Sequence, residues 1–282
     1  MIFGSALCLS TSGIGLRVIQ EADGWQILFY RSLSMMMLVL AVLLFRPEPI
    51  AKRIKGLAAN DVLLALVLGT GFCAYVFALL HTTIANALFI FSSAPFFAAV
   101  LGWIVLRERV ALRTWIAIGA AMMGLAVMVG SGLAGGRASG NLLALWLPIS
   151  YAITVILVRR SDQPDMLVAL MLAAGVATVI SFSFADTLAI PGRDVFTSVA
   201  MGIFQVGAGF ILMILGARHV PAAQVGLIAL VEPVLGPTWA WFTASEIPAG
   251  ATLIGGGIIL GAVAIDALVS IARNRRSKPR AT

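Results

Sequence analysis

The stretch SAPFFAAVLGWIVLRERV, Ser93 to Val110, recurs 138 residues later as VEPVLGPTWAWFTASEIP, Val231 to Pro248. Pro95, Trp103 and Glu108 fall on Pro233, Trp241 and Glu246. The same gapless offset holds on both sides of this passage. Upstream, Gly69, Gly71 and Phe72 meet Gly207, Gly209 and Phe210, His81 meets His219, and Asn86 meets a second amide, Gln224. Downstream, Thr114, Ile116 and Gly119 meet Thr252, Ile254 and Gly257. Residues 66–126 hold 14 identities in 61 pairs, against about one in thirteen expected from so biased a composition. Farther out, Ala6, Leu7, Leu9 and Ser12 meet Ala144, Leu145, Leu147 and Ser150. The chain is a duplication.

Each copy is written for a bilayer. Of 282 residues, 61% are hydrophobic and 11% charged, with a mean hydropathy of +1.04. A soluble domain carries about 25% charged residues, so a water-soluble enzyme, a disordered chain and a collagen-like chain are all excluded. Cys8 and Cys73 lie in apolar runs and are too few to staple a secreted scaffold. A spanning helix needs about 20 apolar residues. That window predicts ten spans: 2–19, 25–45, 61–80, 84–106, 112–131, 140–158, 166–184, 195–216, 221–242 and 249–271. The longest connection, Arg46 to Asn60, has 15 residues and leaves no room for an extramembrane domain. The first span has no charged leader and more spans follow at once, so it reads as a membrane helix rather than a signal peptide.

Lys and Arg set the expected orientation. With the N-terminus inside, inner loops and tail hold 15 of them and outer segments three, Arg17, Arg137 and Arg193. That bias predicts both termini in the cytoplasm, and the expected location is a bacterial inner membrane. It also accounts for the net charge of +7 without nucleic acid as a partner. The basic tail, 273–282, reads as an anchor for anionic lipid.

The expected units are a first five-helix repeat, 1–138, and a second, 139–272. Five spans are an odd number, so the second copy enters from the opposite side. The predicted fold is an all-α membrane protein of ten transmembrane helices, two inverted five-helix repeats around a central cavity. Such repeats build many secondary transporters, with the site at the midplane and access alternating between faces.

These segments, together with WQILFYRS (Trp25 to Ser32), resemble the EamA-type carriers of the drug/metabolite transporter superfamily over nearly the whole chain. The chain is most similar to the YddG-type exporters of aromatic amino acids. The resemblance implies ten helices in two inverted halves and a small-molecule substrate held between them. One position departs from the repeat, since Ala94 stands where the second copy has Glu232.

Ionisable groups inside a membrane face a partner or a cavity. Glu232, near the middle of span nine, reads either as a site for an ammonium or proton or as a hydrogen-bond donor to a bent backbone. Pro95 and Pro233 are the expected helix bends. Arg31, about two turns inside span two, either snorkels, pairs with an acid or binds a substrate carboxylate. Asn86, Phe89 and Ser93 share one helical face and form a candidate cavity wall. Phe72, Tyr75, Trp146, Tyr151 and Gln205 fall near mid-depth and complete the candidate site, although each aromatic alone also suits helix packing. His81 and His219 lie at opposite faces, too far apart for a shared metal, and read as loop caps. Ser10, Thr11 and Ser12 are placed to bond their own backbone.

No phosphate-binding loop, HExxH or GxSxG occurs. No cofactor, metal or catalytic chemistry is expected, and transport would run on a gradient. The expected function is export of amino acids, aromatic or apolar ones first. Export of drugs or cationic metabolites on the same fold is the alternative, and an intramembrane enzyme or partner subunit is the rival outside transport. The sequence sets no oligomeric state.

Overall fold

A computed structural model describes residues 1–47, 52–53, 57–134, 138–161, 165–217, 219–220 and 222–277. Arg137 and the end of the basic tail lie outside them. The protein is all-helical over the described residues. Among the described residues the ten long helices are α1 (Ile2–Val18), α2 (Gly24–Leu44), α3 (Ala59–His81), α4 (Ile84–Leu106) and α5 (Leu112–Ala134), then α6 (Ala138–Arg160), α7 (Met166–Phe184), α8 (Gly192–Ala217), α9 (222–244) and α10 (Gly250–Ser277). Nine are long and apolar enough to cross a bilayer, and α1 is a shorter apolar helix.

Four of the ten are interrupted where the sequence predicts continuous spans. In α4 the break is at Ser92 and Ser93, between Ile84–Phe91 and Ala94–Leu106. In α9 it is at Leu230, between Ala222–Ala229 and Val231–Ala244. Each break just precedes its proline. Pro95 and Pro233 have no N–H for the carbonyl four residues back, Phe91 or Ala229, and each ring crowds that turn. Ser92 and Ser93 turn their hydroxyls onto the carbonyls of Phe89 and Ile90, both at 2.6 Å. In α1 the break falls at Thr11. Ser10 and Thr11 bond back to Leu7 and Cys8 at 2.8 and 2.7 Å, which competes with the helix ladder. In α8, Met201–Ala208 winds as a π-helix.

The repeat is visible down to single hydrogen bonds. The inner piece of α4 ends at Arg107 (φ 55°) and that of α9 at Ser245 (φ 51°), which are 138 residues apart and both left-handed. Behind each, the glutamate N–H closes the helix: Glu108 onto Gly102 and Glu246 onto Ala240, both at 3.3 Å. His81 Nδ1 meets the Phe77 carbonyl at 2.8 Å, and His219 Nδ1 meets the Leu215 carbonyl at 3.1 Å. Both histidines cap the ends of their own helices.

The halves interleave rather than abut. Helix α2 packs on α7, α3 on α6, and α5 on α10. The last pair crosses at Gly124 and Gly255, where a Cβ on Gly124 would lie 2.6 Å from the Gly255 carbonyl oxygen. Only small residues permit backbones so close in a membrane. The main core gathers buried residues from both halves, including Leu28, Leu79, Leu88, Met128, Leu170 and Ile259. Exposed Phe45, Ile116, Met123, Phe196, Ile254 and Ile265 form an apolar outer surface, as a lipid-facing belt requires. The face of the connections after α2, α4 and α6, which carry Arg46, Arg53, Arg107, Arg109, Arg159 and Arg160, is called the basic face below.

Candidate substrate site

Where the broken helices meet, they enclose a cavity of about 200 Å³. Its wall is built largely of residues paired by the 138-residue offset. Leu9 faces in with Leu147, Leu68 with Val206, Phe72 with Phe210, Phe91 with Ala229, and Pro95 with Pro233. Phe72 and Phe210 meet edge to face at 5.7 Å between ring centres. The cavity therefore lies on the pseudo-two-fold axis.

The polar groups in this wall are not paired. Arg31, Tyr75, Gln205 and Glu232 all line the cavity, while their repeat counterparts are Ala169, Met213, Val67 and Ala94. The frame is symmetric and its polar equipment is single-copy.

Arg31 is 4% exposed and does not snorkel to a surface. Its guanidinium carbon stands 5.6 Å from the centre of the Tyr75 ring, within cation–π range. Its Nε is buried with no hydrogen-bond partner. The α2 backbone at Arg31 is pressed against α8, since a Cβ on Gly202 would run into the Arg31 carbonyl and the Ser34 hydroxyl. This close approach fixes the start of the Arg31 side chain. Tyr75 exchanges a 2.6 Å hydrogen bond with Ser12 and also faces the Glu232 carboxyl. Ser12 thus bonds a neighbouring helix rather than its own backbone. Gln205, on the π-helical turn, approaches the Leu9 carbonyl at 3.5 Å and leaves its Oε1 buried and unpartnered. The α1 break exposes the Leu9 carbonyl and Ser12 together. Trp239 Nε1 donates to Ser10 at 3.2 Å on the far side of the same break.

Six of the ten side chains singled out in the sequence line the cavity: Arg31, Phe72, Tyr75, Tyr151, Gln205 and Glu232, together with the bend residues Pro95 and Pro233. Tyr151 also meets Phe91 edge-on at 6.2 Å. Asn86, Phe89, Ser93 and Trp146 are not part of its wall. Asn86 turns instead into a buried knot near the face opposite the basic one. There it donates to Asn141 Oδ1 and to Thr82 Oγ1 at 3.3 Å, and accepts from Thr252 at 3.4 Å. Thr82 also donates to Asn141, at 2.9 Å. The knot joins α3, α4, α6 and α10. Phe89 packs against Gly256 of α10, where a Cβ would overlap its ring. Ser93 spends its hydroxyl on Ile90, and Trp146 is half-buried elsewhere on α6. The cavity instead meets another face of α4, that of Leu88, Phe91, Ser92 and Pro95, which keep the i, i+3/i+4, i+7 spacing of one helical face across the break.

Phe91, Leu147, Ser150, Phe210 and Met213 line the cavity without having been singled out. The repeat itself carried a signal for some of them: Phe210 is the counterpart of Phe72, and Met213 that of Tyr75.

The EamA-like transporter family matches residues 1–130 and 138–266. An uncharacterized transporter of Archaeoglobus fulgidus is 25% identical over 202 residues, covering 68% of this chain and 70% of that protein. A solved crystal structure superposes with a TM-score of 0.69 at 20% identity, over 96% of this chain and 97% of that one, a likeness of fold. With both repeats matched and a cavity walled by both, the chain belongs to the EamA-like transporter family, within the drug/metabolite transporter superfamily.

Proposed function

We propose that the protein exports amino acids, aromatic and apolar ones foremost, from the basic face outward by alternating access. In this reading the basic face is the cytoplasmic face of a bacterial inner membrane. One observation carries the substrate class: a single guanidinium with an unpartnered Nε and a single carboxyl flank Tyr75 in one cavity. A zwitterion has one group for each, its carboxylate for Arg31 and its ammonium for Glu232 and the Gln205 Oε1. Phe72, Phe91, Tyr151 and Phe210 supply an aromatic wall for the side chain. The volume of about 200 Å³ is below the about 300–1,000 Å³ of drug-sized pockets, which favours a metabolite over a drug. The family and a transporter relative support transport rather than catalysis.

Counterflow in liposomes tests this. Protein loaded with unlabelled phenylalanine or methionine accumulates labelled solute above empty vesicles, and Glu232→Gln and Arg31→Gln each reduce that uptake. Empty-vesicle rates for a broad amino-acid panel would overturn the substrate class. The lone buried carboxyl also suits an organic cation. In that case Glu232→Gln abolishes cation uptake and spares zwitterions.

A further inference from the structure

The corner where α4 turns into α5 on the basic face holds an open groove of about 640 Å³ that shares no wall residue with the transport cavity. Trp103, Ile104, Arg107, Glu108, Arg109 and Trp115 supply most of its wall. The two helices lean on different neighbours. The last piece of α4 packs on α6 and α5 packs on α10, so they touch each other only lightly. Within the wedge between them the Trp103 and Trp115 rings meet edge to face, 5.3 Å between centres.

The arginines of this corner divide into spent and free. Arg113 pairs with Asp266 at 3.6 Å and donates to Ser270 at 2.8 Å, which commits it to α10. Arg159 holds both oxygens of Glu108, the one acid in the groove wall, at 2.8 and 2.7 Å. Arg160 donates to the Val105 carbonyl at 3.3 Å. Arg107 and Arg109 are exposed and have no acidic or hydrogen-bonding partner among the described residues. With Glu108 matched by Arg159, the groove carries two uncompensated positive charges.

The turn itself does not ask for arginine. Arg107 takes a left-handed φ of 55°, an uncommon conformation for a residue with a Cβ, and the second repeat makes the same turn with Ser245 at 51°. At that matching corner Ser245, Ile247 and Leu253 stand for Arg107, Arg109 and Trp115. Both cations and one indole are peculiar to the basic face.

We propose that this groove binds an anionic phospholipid from the leaflet of the basic face. The lipid phosphate lies against the Arg107 and Arg109 guanidinium groups, whose planar forks of N–H donors match phosphate oxygens. Its glycerol and upper acyl chains run along Trp103, Ile104 and Trp115, since indoles suit the headgroup level of a bilayer. Ile104 and Ile116, 60% and 67% exposed, continue that path onto the apolar outer surface. The lipid fills the wedge and braces α4 against α5. A free phosphate would satisfy the arginines but leave the apolar half of the wall uncovered, so the membrane's own lipid is the occupant. Lipid binding here is independent of what the central cavity carries.

The test uses the purified full-length protein in neutral detergent, titrated with phosphatidylglycerol or phosphatidylcholine, with bound lipid counted by native mass spectrometry. One tightly held phosphatidylglycerol is expected, and phosphatidylcholine should bind far more weakly. At about fivefold in affinity per arginine, Arg107→Gln with Arg109→Gln should weaken phosphatidylglycerol about 25-fold and leave phosphatidylcholine unchanged. Lys52→Gln with Arg193→Gln removes the same charge from exposed positions elsewhere and should change neither lipid. In phosphatidylcholine bilayers, phosphatidylglycerol brominated on its acyl chains should quench more tryptophan emission than brominated phosphatidylcholine at equal mole fraction. Trp103→Phe with Trp115→Phe should abolish that excess, although the other tryptophans remain. Equal affinity for the two lipids, parent-like phosphatidylglycerol binding by the arginine variant, or an equal loss in the charge-matched control overturns the site. Displacement of the lipid by millimolar inorganic phosphate overturns the lipid as its occupant. Should the arginine variant unfold, the quenching experiment, which leaves both arginines in place, decides alone.

Discussion

Gly140 sits where a single methyl group should damage the fold without touching the cavity. A Cβ there would lie 2.5 Å from both the carbonyl carbon and oxygen of His81 and 2.7 Å from the Thr82 nitrogen. All three are backbone atoms at the α3–α4 turn, so no side chain can rotate away. Restoring ordinary contact near 3.4 Å requires the start of α6 to retreat by about 0.9 Å. Asn141 moves with it, and its 2.9 Å bond from Thr82 then stretches past hydrogen-bond reach, about 3.5 Å. Overpacking costs about 1–3 kcal/mol, and stranding buried polar groups a further 1–3 kcal/mol or so. The better helix propensity of alanine offsets about 1 kcal/mol at most. A net loss of about 3 kcal/mol lowers the melting temperature by about 6–12 °C at this chain length. The assay is thermal unfolding in detergent, with Gly257→Ala beside it. Nothing stands within 4 Å of a Cβ on Gly257, and that variant should stay within about 0.5 kcal/mol of the parent. If Gly140→Ala melts with the parent, the tight turn and its polar knot are not what holds α6 against α3 and α4.

Tyr75→Phe removes the hydroxyl shared by Ser12 and facing Glu232, and should lower counterflow at least as much as Ser12→Ala while leaving the melting temperature within a few degrees. Moving the carboxyl across the axis, with Ala94→Glu and Glu232→Ala combined, keeps the cavity charge but separates it from Tyr75. Uptake of phenylalanine should stay lost, and recovery to the parent rate would refute a site that depends on the Tyr75 side of the cavity. Asp194 accepts the N–H groups of Glu21 and Ala22, each at 3.0 Å, so Asp194→Ala should speed limited proteolysis of the α1–α2 loop. An unchanged cleavage rate would show that the loop is held by other contacts.

The number of helices, the positions of their ends within a few residues and the inverted repeat were all legible in the sequence, because hydropathy and a gapless offset both survive in a single chain. The breaks in α4 and α9 were legible only in part. Pro95 and Pro233 announce a bend, but helical spacing alone does not say which face of α4 looks inward. Polarity pointed to the face of Asn86, Phe89 and Ser93, whereas the cavity meets that of Leu88, Phe91, Ser92 and Pro95, because Asn86 is drawn into the knot with Thr82, Asn141 and Thr252. The π-helical turn that presents Gln205 has no comparable mark in the sequence, and it falls where Gly202 meets the α2 backbone. Arg31 and Glu232 were visible as charges in apolar runs. Their relation to each other was not, because α2 and α9 are brought together only by the interleaving of the halves.

The single-copy polar groups have a consequence for the origin of the molecule. Two identical five-helix subunits, assembled head to tail, would present every cavity residue twice. An acid at the Ala94/Glu232 position would then oppose its own likeness. An arginine at the Arg31/Ala169 position would do the same. Such a pair could line a pore of even polarity, but it could not tell one end of a bound solute from the other. A single chain lets the two walls differ, and this cavity carries one guanidinium and one carboxyl where a symmetric pair would carry two of each or none.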